Sequence, residues 1–145
     1  MNKAAQRYWD EFCEGKEKPE LFGAWQFGAD PDHLAQLVIN GIKTATCSGY
    51  VFYEIEKEPL PKVDDYSILL NSHDEPVAII KTVEVTIQPM NEVPEAFAIA
   101  EGDGTYQNWR DIHIKFFTDQ LQKIGQEFTE DMLLVCERFE LVDAK

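Results

Sequence analysis

Ala4, Ala5, Tyr8, Trp9 and Phe12 recur at helical spacing with charged residues between them, which predicts an N-terminal helix over 3–14. A polar connector, GKEKPE at 15–20, follows it. Asp30-Pro31 reads as a helix N-cap with proline at the first helical position. Leu34, Leu37 and Val38 supply the buried face of that second helix, and Gly41 is placed to end it. Beyond Gly41, enrichment in Val, Ile, Tyr, Phe and Thr predicts strands near 46–53, 65–70, 77–88 and 132–142. The turn NSHDEP at 71–76 joins two of them as a hairpin, and EKEPLPKVDD at 56–65 is a charged, proline-bearing loop. Residues 92–100 read as a short helix. A longer one is expected from about Thr105, with Trp109, Ile112, Phe116 and Leu121 on its buried face. Short strands with a few helices and no internal repeat predict a mixed α+β domain with a curled sheet or small barrel.

Composition narrows this to a packed globule. At 145 residues, 44% hydrophobic and 12% aromatic, the chain is the size of one domain with a real core. No stretch is apolar for long enough to cross a bilayer, and the amphipathic start lacks a signal-peptide core, so a cytoplasmic protein is expected. Cys13, Cys47 and Cys136 are odd in number and widely spaced, which predicts free thiols rather than a disulfide framework. Charge changes the picture most. With 27 Asp and Glu against 13 Lys and Arg, the formal charge is -14. Nonspecific nucleic-acid binding relies on basic residues neutralising phosphates, so this balance favours a small ligand or a locally read nucleotide.

Two segments concentrate chemistry. GIKTATCS, from Gly41 to Ser48, brings a lysine, three hydroxyls and a thiol to a helix–strand junction. A desolvated lysine can act as a base, and beside a threonine hydroxyl it can activate a nucleophile. Glu101 opens the turn EGDG, where a carboxylate can project into a cavity. Trp109, Arg110 and His113 follow on the next helix, in reach of base stacking or phosphate. His33, His73 and His113 form no metal-ligand spacing with the cysteines. No HExxH, Walker A or dinucleotide glycine motif is present, so neither metal nor cofactor is expected.

Taken in order, four blocks resemble the ASCH family. WQFGADPDHLAQLVINGIKTATCS carries a helix and a G-x-K-x-x-T element at Gly41, Lys43 and Thr46. DDYSILLNSHDEPVAIIKTVEVTIQPM resembles the central hairpin. EVPEAFAIAEGDGTYQNWRDIHIKFF carries A-x-x-EG followed by W-R-x-x-H-x-x-FF, and EFTEDMLLVCERFELV resembles the closing strand. Departures are Asp64-Asp65 before the second strand and a short acidic turn at EGDG. The resemblance implies a PUA-like small β-barrel, a curled mixed sheet with flanking helices. Residues 22–143 would form the ASCH domain, with 1–21 a helix and connector packed on it. PUA-like domains commonly bind RNA, and small ASCH proteins include amidohydrolases that remove an acyl group from the exocyclic nitrogen of modified cytidine. Carried over, Lys43 would be the general base, Thr46 the nucleophile and Glu101 the third catalytic member. Ser48, Trp109, Arg110 and His113 would contact substrate, either a nucleoside-like ligand or RNA. The competing expectations are an RNA-binding module and a metal-independent ribonuclease using Lys43, Glu101 and His113. A protein-interaction domain is the third.

Overall fold

A computed structural model describes residues 1–145. The amphipathic start forms helix α1, Lys3–Cys13, capped by the Asn2 side chain, which accepts from the Ala5 amide. Ala5, Tyr8, Trp9 and Cys13 of α1 bury against Ile68, Leu70 and Ile79 of the sheet. Two large aromatics on this face contribute about 1.5–3 kcal/mol each by area, so the helix is held by packing rather than by propensity.

Five strands make one sheet: β1 Leu21–Trp25, β2 Ala45–Gly49, β3 Tyr66–Leu70, β4 Pro76–Pro89 and β5 Leu133–Ala144. Their order is β1-β3-β4-β5-β2. β1 runs parallel to β3 and every other pairing is antiparallel, so the sheet is mixed, as expected. β1 and β2 remain as edges, and the sheet does not close on itself. The long β4–β5 ladder is shifted between Ile79 and Ile80 and again between Thr82 and Glu84. Such irregularities bend a ladder and increase its twist.

Flanking helices complete the α+β fold. Asp30 caps α2, Pro31–Ile39, and Thr105 caps α5, Tyr106–Gln122, each through its side chain. The segment expected as one short helix over 92–100 is a single tight turn at Met90–Glu92 followed by α4, Glu95–Ala100. A core of Met90, Val93, Phe97, Trp109, Phe117, Leu134 and Cys136 joins these helices to the β5 end of the sheet.

Three local expectations are corrected. The strand predicted over 46–53 ends at Gly49, and Tyr50–Glu56 is helix α3. The Phe52 ring lies against the bare Gly49 backbone, where a Cβ would meet it at 2.8 Å. Packing thus overrides the aromatic and β-branched bias of that run. β1 was unpredicted: it is five residues long, contains Gly23, and pairs only with a strand distant in sequence. On α5 the deeply buried residues are Trp109, Phe117 and Leu121, whereas Ile112 is exposed.

Candidate functional site

Lys43 is delivered inward by the way α2 ends. Gly41 adopts φ 77°, a left-handed value that glycine takes without steric cost. Its amide donates to the Val38 carbonyl, and the Ile42 amide donates to Leu37, closing the helix end. The Thr44 amide then donates to the Ala100 carbonyl, tying this turn to the end of α4. Gly102 makes the approach possible: a Cβ there would sit 3.5 Å from that of Lys43 and 3.3 Å from Leu37.

The two ends so joined bring Lys43 and Glu101 together out of solvent, 4% and 2% exposed. The Lys43 ammonium donates to the Glu101 backbone carbonyl at 3.2 Å and faces its Oε1 at 3.4 Å. Oε2 accepts from the Trp109 indole N–H and lies 3.5 Å from Nε2 of His113. Nδ1 of His113 is 2.7 Å from the Trp109 backbone oxygen, which can only accept, so Nδ1 carries a proton. The His113 ring stacks on Trp109 with centroids 4.6 Å apart. Burial by itself pushes Glu101 upward, but His113, the Lys43 charge and the indole outweigh it and hold the carboxyl at about 2. Burial likewise opposes the imidazolium of His113, yet Glu101, the Trp109 carbonyl and Asp103 raise its pKa above the ordinary histidine value. Glu101 is therefore a fixed anion held by the Lys43 ammonium, the Trp109 indole and His113.

Cys47 joins this cluster. Its Sγ, a Glu101 oxygen and a His113 nitrogen lie within 4.8 Å of one another, a proximity that sequence spacing did not reveal. Burial, then the Glu101 charge, raise the thiol well above its usual pKa, which keeps it protonated. A divalent cation here would have to displace the Lys43 charge and ionise that thiol, so the donor set fits the internal ion network better than a metal.

Thr46 stands where two clefts meet. One, about 390 Å³, is lined by Lys43, Glu101, Asp103, His113, His33 and Phe27 among others, with Thr46 and Cys47 in its wall. The other, about 700 Å³, shares Thr46, Cys47, Phe27 and Phe116 and adds Trp25, Ser48, Phe52, Tyr53 and Glu137. No Lys, Arg or His lines this larger cleft, while Glu56, Glu58 and Glu137 do. The Ser48 hydroxyl is 2.9 Å from that of Tyr53. The Lys43 ammonium is spent on Glu101, and the Thr46 hydroxyl makes no hydrogen bond within the chain.

Of the residues singled out from sequence, Lys43, Thr46, Glu101 and His113 meet at one place and Ser48 lines the adjoining cleft. Trp109 is fully buried and lines neither cleft, so its ring has no face free to stack on a ligand. Arg110 points away from both, paired with Glu130 at 2.9 Å. Glu137, Trp25 and Tyr53 were not singled out from sequence, and Cys47 stood out only as the thiol of the Gly41–Ser48 segment. Cross-strand register and a parallel edge strand bring them in.

Comparison with known proteins bears on the fold. A family model described as the ASCH domain matches residues 23–143. A crystal structure of a protein from Enterococcus faecalis V583 is 40% identical, covers 99% of this chain and 91% of its own, and has a TM-score of 0.87. A high-resolution crystal structure of an ASCH domain from Lactobacillus crispatus JV V101 is 29% identical, covers 97% and 95%, and has a TM-score of 0.89. No curated protein matches the chain. With a family model spanning most of its length and an ASCH domain of the same fold, this chain belongs to the ASCH domain family.

Proposed function

We propose that the chain takes an uncharged nucleoside-sized ring into the cleft beside Thr46 and hydrolyses an amide on its exocyclic nitrogen, N4-acylated cytidine being the substrate class. The observation that carries this reading is the position of Thr46, between a buried Lys43–Glu101–His113 network and an aromatic cleft of about 700 Å³ without a cation. That volume lies within the range of small-molecule sites. Three acidic side chains and no basic lining suit a neutral ring and disfavour a phosphate.

In this mechanism the Lys43 ammonium first passes a proton to solvent, and the amine then takes the hydroxyl proton of Thr46 as Oγ1 attacks the acyl carbon. The C–N bond breaks with a proton delivered to the nitrogen, leaving an ester on Thr46. Water cleaves that ester, the acid departs, and Lys43 returns its proton to Oγ1. Glu101 fixes Lys43 in place through both its carbonyl and its carboxylate, and His113 and Trp109 fix Glu101. Arg110 contributes nothing to this chemistry.

Members of the ASCH family are generally RNA-binding, which supports a second reading: the same cleft receives a base from RNA without cleaving it. The two part on one experiment, incubation of purified protein with N4-acetylcytidine while following cytidine. Turnover abolished by Thr46→Ala supports hydrolysis. Absence of turnover by the wild type removes it and leaves base binding.

A further inference from the structure

The larger cleft holds a half-buried carboxyl that the Lys43–Thr46–Glu101 scheme leaves unused. Glu137 on β5 is the direct cross-strand partner of Thr46 on β2. Directly opposed residues of an antiparallel pair stand on the same face, with Cβ atoms about 4.5–5.5 Å apart. Both line the same cleft. The single hydrogen bond the Glu137 carboxyl receives is from the Thr82 hydroxyl to Oε1, at 3.3 Å, so Oε2 has no partner in the chain.

Resting on the hydrolytic reading above, we propose that Glu137 is a further catalytic residue, the group that protonates the departing nitrogen and later deprotonates the attacking water. As the Thr46 Oγ1–carbon bond forms and the C–N bond breaks, the carboxyl gives its proton to the exocyclic nitrogen, which leaves as the amine. The resulting carboxylate takes a proton from water as the water oxygen attacks the ester. The Oγ1–carbon bond then breaks and Oγ1 recovers the proton held by Lys43. One amide and one water yield one acid and one amine, with both protein groups restored.

The surroundings keep such a carboxyl able to work in both directions. Burial pushes Glu137 up to about 7, with the Thr82 hydroxyl opposing and Asp65 adding to the rise. The ionisable groups around it are Asp65 before β3, Tyr53 and Glu56 on α3, and Glu58 just beyond, all acidic. The nearest cations on the neighbouring strands are engaged elsewhere: Arg138 lies 3.9 Å from Glu84 and Lys81 lies 3.5 Å from Asp64. An acid near the operating pH is the effective proton carrier, whereas Glu101, held at about 2, stays ionised.

The test is the pH dependence of N4-acetylcytidine deacylation by the wild type, Glu137→Gln, Glu137→Asp and Thr46→Ala. Loss of a general acid lowers rates by about 10²–10⁴. Glu137→Gln, which can still accept from Thr82, is expected to lose about 100-fold in kcat with KM nearly unchanged. The wild type should lose rate as pH rises through about 7, and this variant should lack that limb. Glu137→Asp, keeping a carboxyl, should retain that limb with a lower rate. A Gln variant with wild-type kcat and an unchanged limb, beside a dead Thr46→Ala, overturns the role of Glu137 while the hydrolytic reading stands. No turnover by the wild type overturns both. Should Glu137→Gln fail to fold, the Asp variant decides: absence of the limb there overturns the proposal.

Discussion

Two carboxyls flank Thr46, Glu101 buried and Glu137 half-buried, and the protein treats them in opposite ways. Glu101 is surrounded by donors: Lys43 on one oxygen, the Trp109 indole and His113 on the other. Glu137 receives one hydroxyl and shares its cleft with other acids and aromatic rings. The first is held at about 2 and the second pushed up to about 7, although burial drives both upward. Partners, not depth, decide which carboxyl is a permanent charge and which can exchange a proton. Groups pushed apart in this way are the usual division of labour in acid–base sites.

The comparison breaks hardest at Glu101. Replacing it by Ala leaves the Lys43 ammonium buried without its counter-charge, a class of change that costs about 3–5 kcal/mol. Chemical denaturation should show a loss of that size. Trp109→Phe removes the indole donor and also leaves a void in the core, so it should cost at least about 1.5–3 kcal/mol, the range for a hydrogen bond to a charged group. Gly41→Ala, forcing a Cβ into a backbone at φ 77°, should cost about 1 kcal/mol in the same assay. A smaller loss would mean that the turn carrying Lys43 can relax.

At Glu137 the expectation reverses with pH. Its folded pKa is raised from 4.5 to about 7, so the native state binds the extra proton between those values and wild-type stability falls as pH rises through that window. Glu137→Gln lacks this penalty and should melt higher than the wild type at about pH 8, with the gap closing at about pH 5. Glu101 carries the opposite dependence. Its lowered pKa gives stability that is present above 4.5 and lost as pH falls toward 2. His113, raised above 6.5, stabilises below that value and gives up its contribution as pH rises through its folded pKa. Thr46→Ala should be the quietest change, within about 0.5 kcal/mol of the wild type, because no hydrogen bond in the chain depends on that hydroxyl.

Much of this was legible in sequence where the signal is local. The α1 stripe, the Asp30-Pro31 start and the start of the long helix at about Thr105 lie where periodicity and local sequence place them. β1 and α3 were not, because a Gly-containing edge strand and a helix rich in Val, Phe and Tyr run against propensity and are settled by long-range packing. The same division holds in the site. Lys43, Thr46 and Glu101 sit in recognisable short motifs, and the structure brings the first and third into contact. Glu137 carries no motif and becomes visible only through its register with Thr46. Trp109 and Arg110 show the converse: adjacent in sequence to pocket residues, they serve a buried hydrogen bond and a surface ion pair.

The most direct measurement is release of cytidine from N4-acetylcytidine by the purified wild type beside Thr46→Ala at equal concentration. The account predicts turnover by the wild type and none by the variant, with both proteins melting at nearly the same temperature. Equal turnover by the two, or none by the wild type, would contradict it.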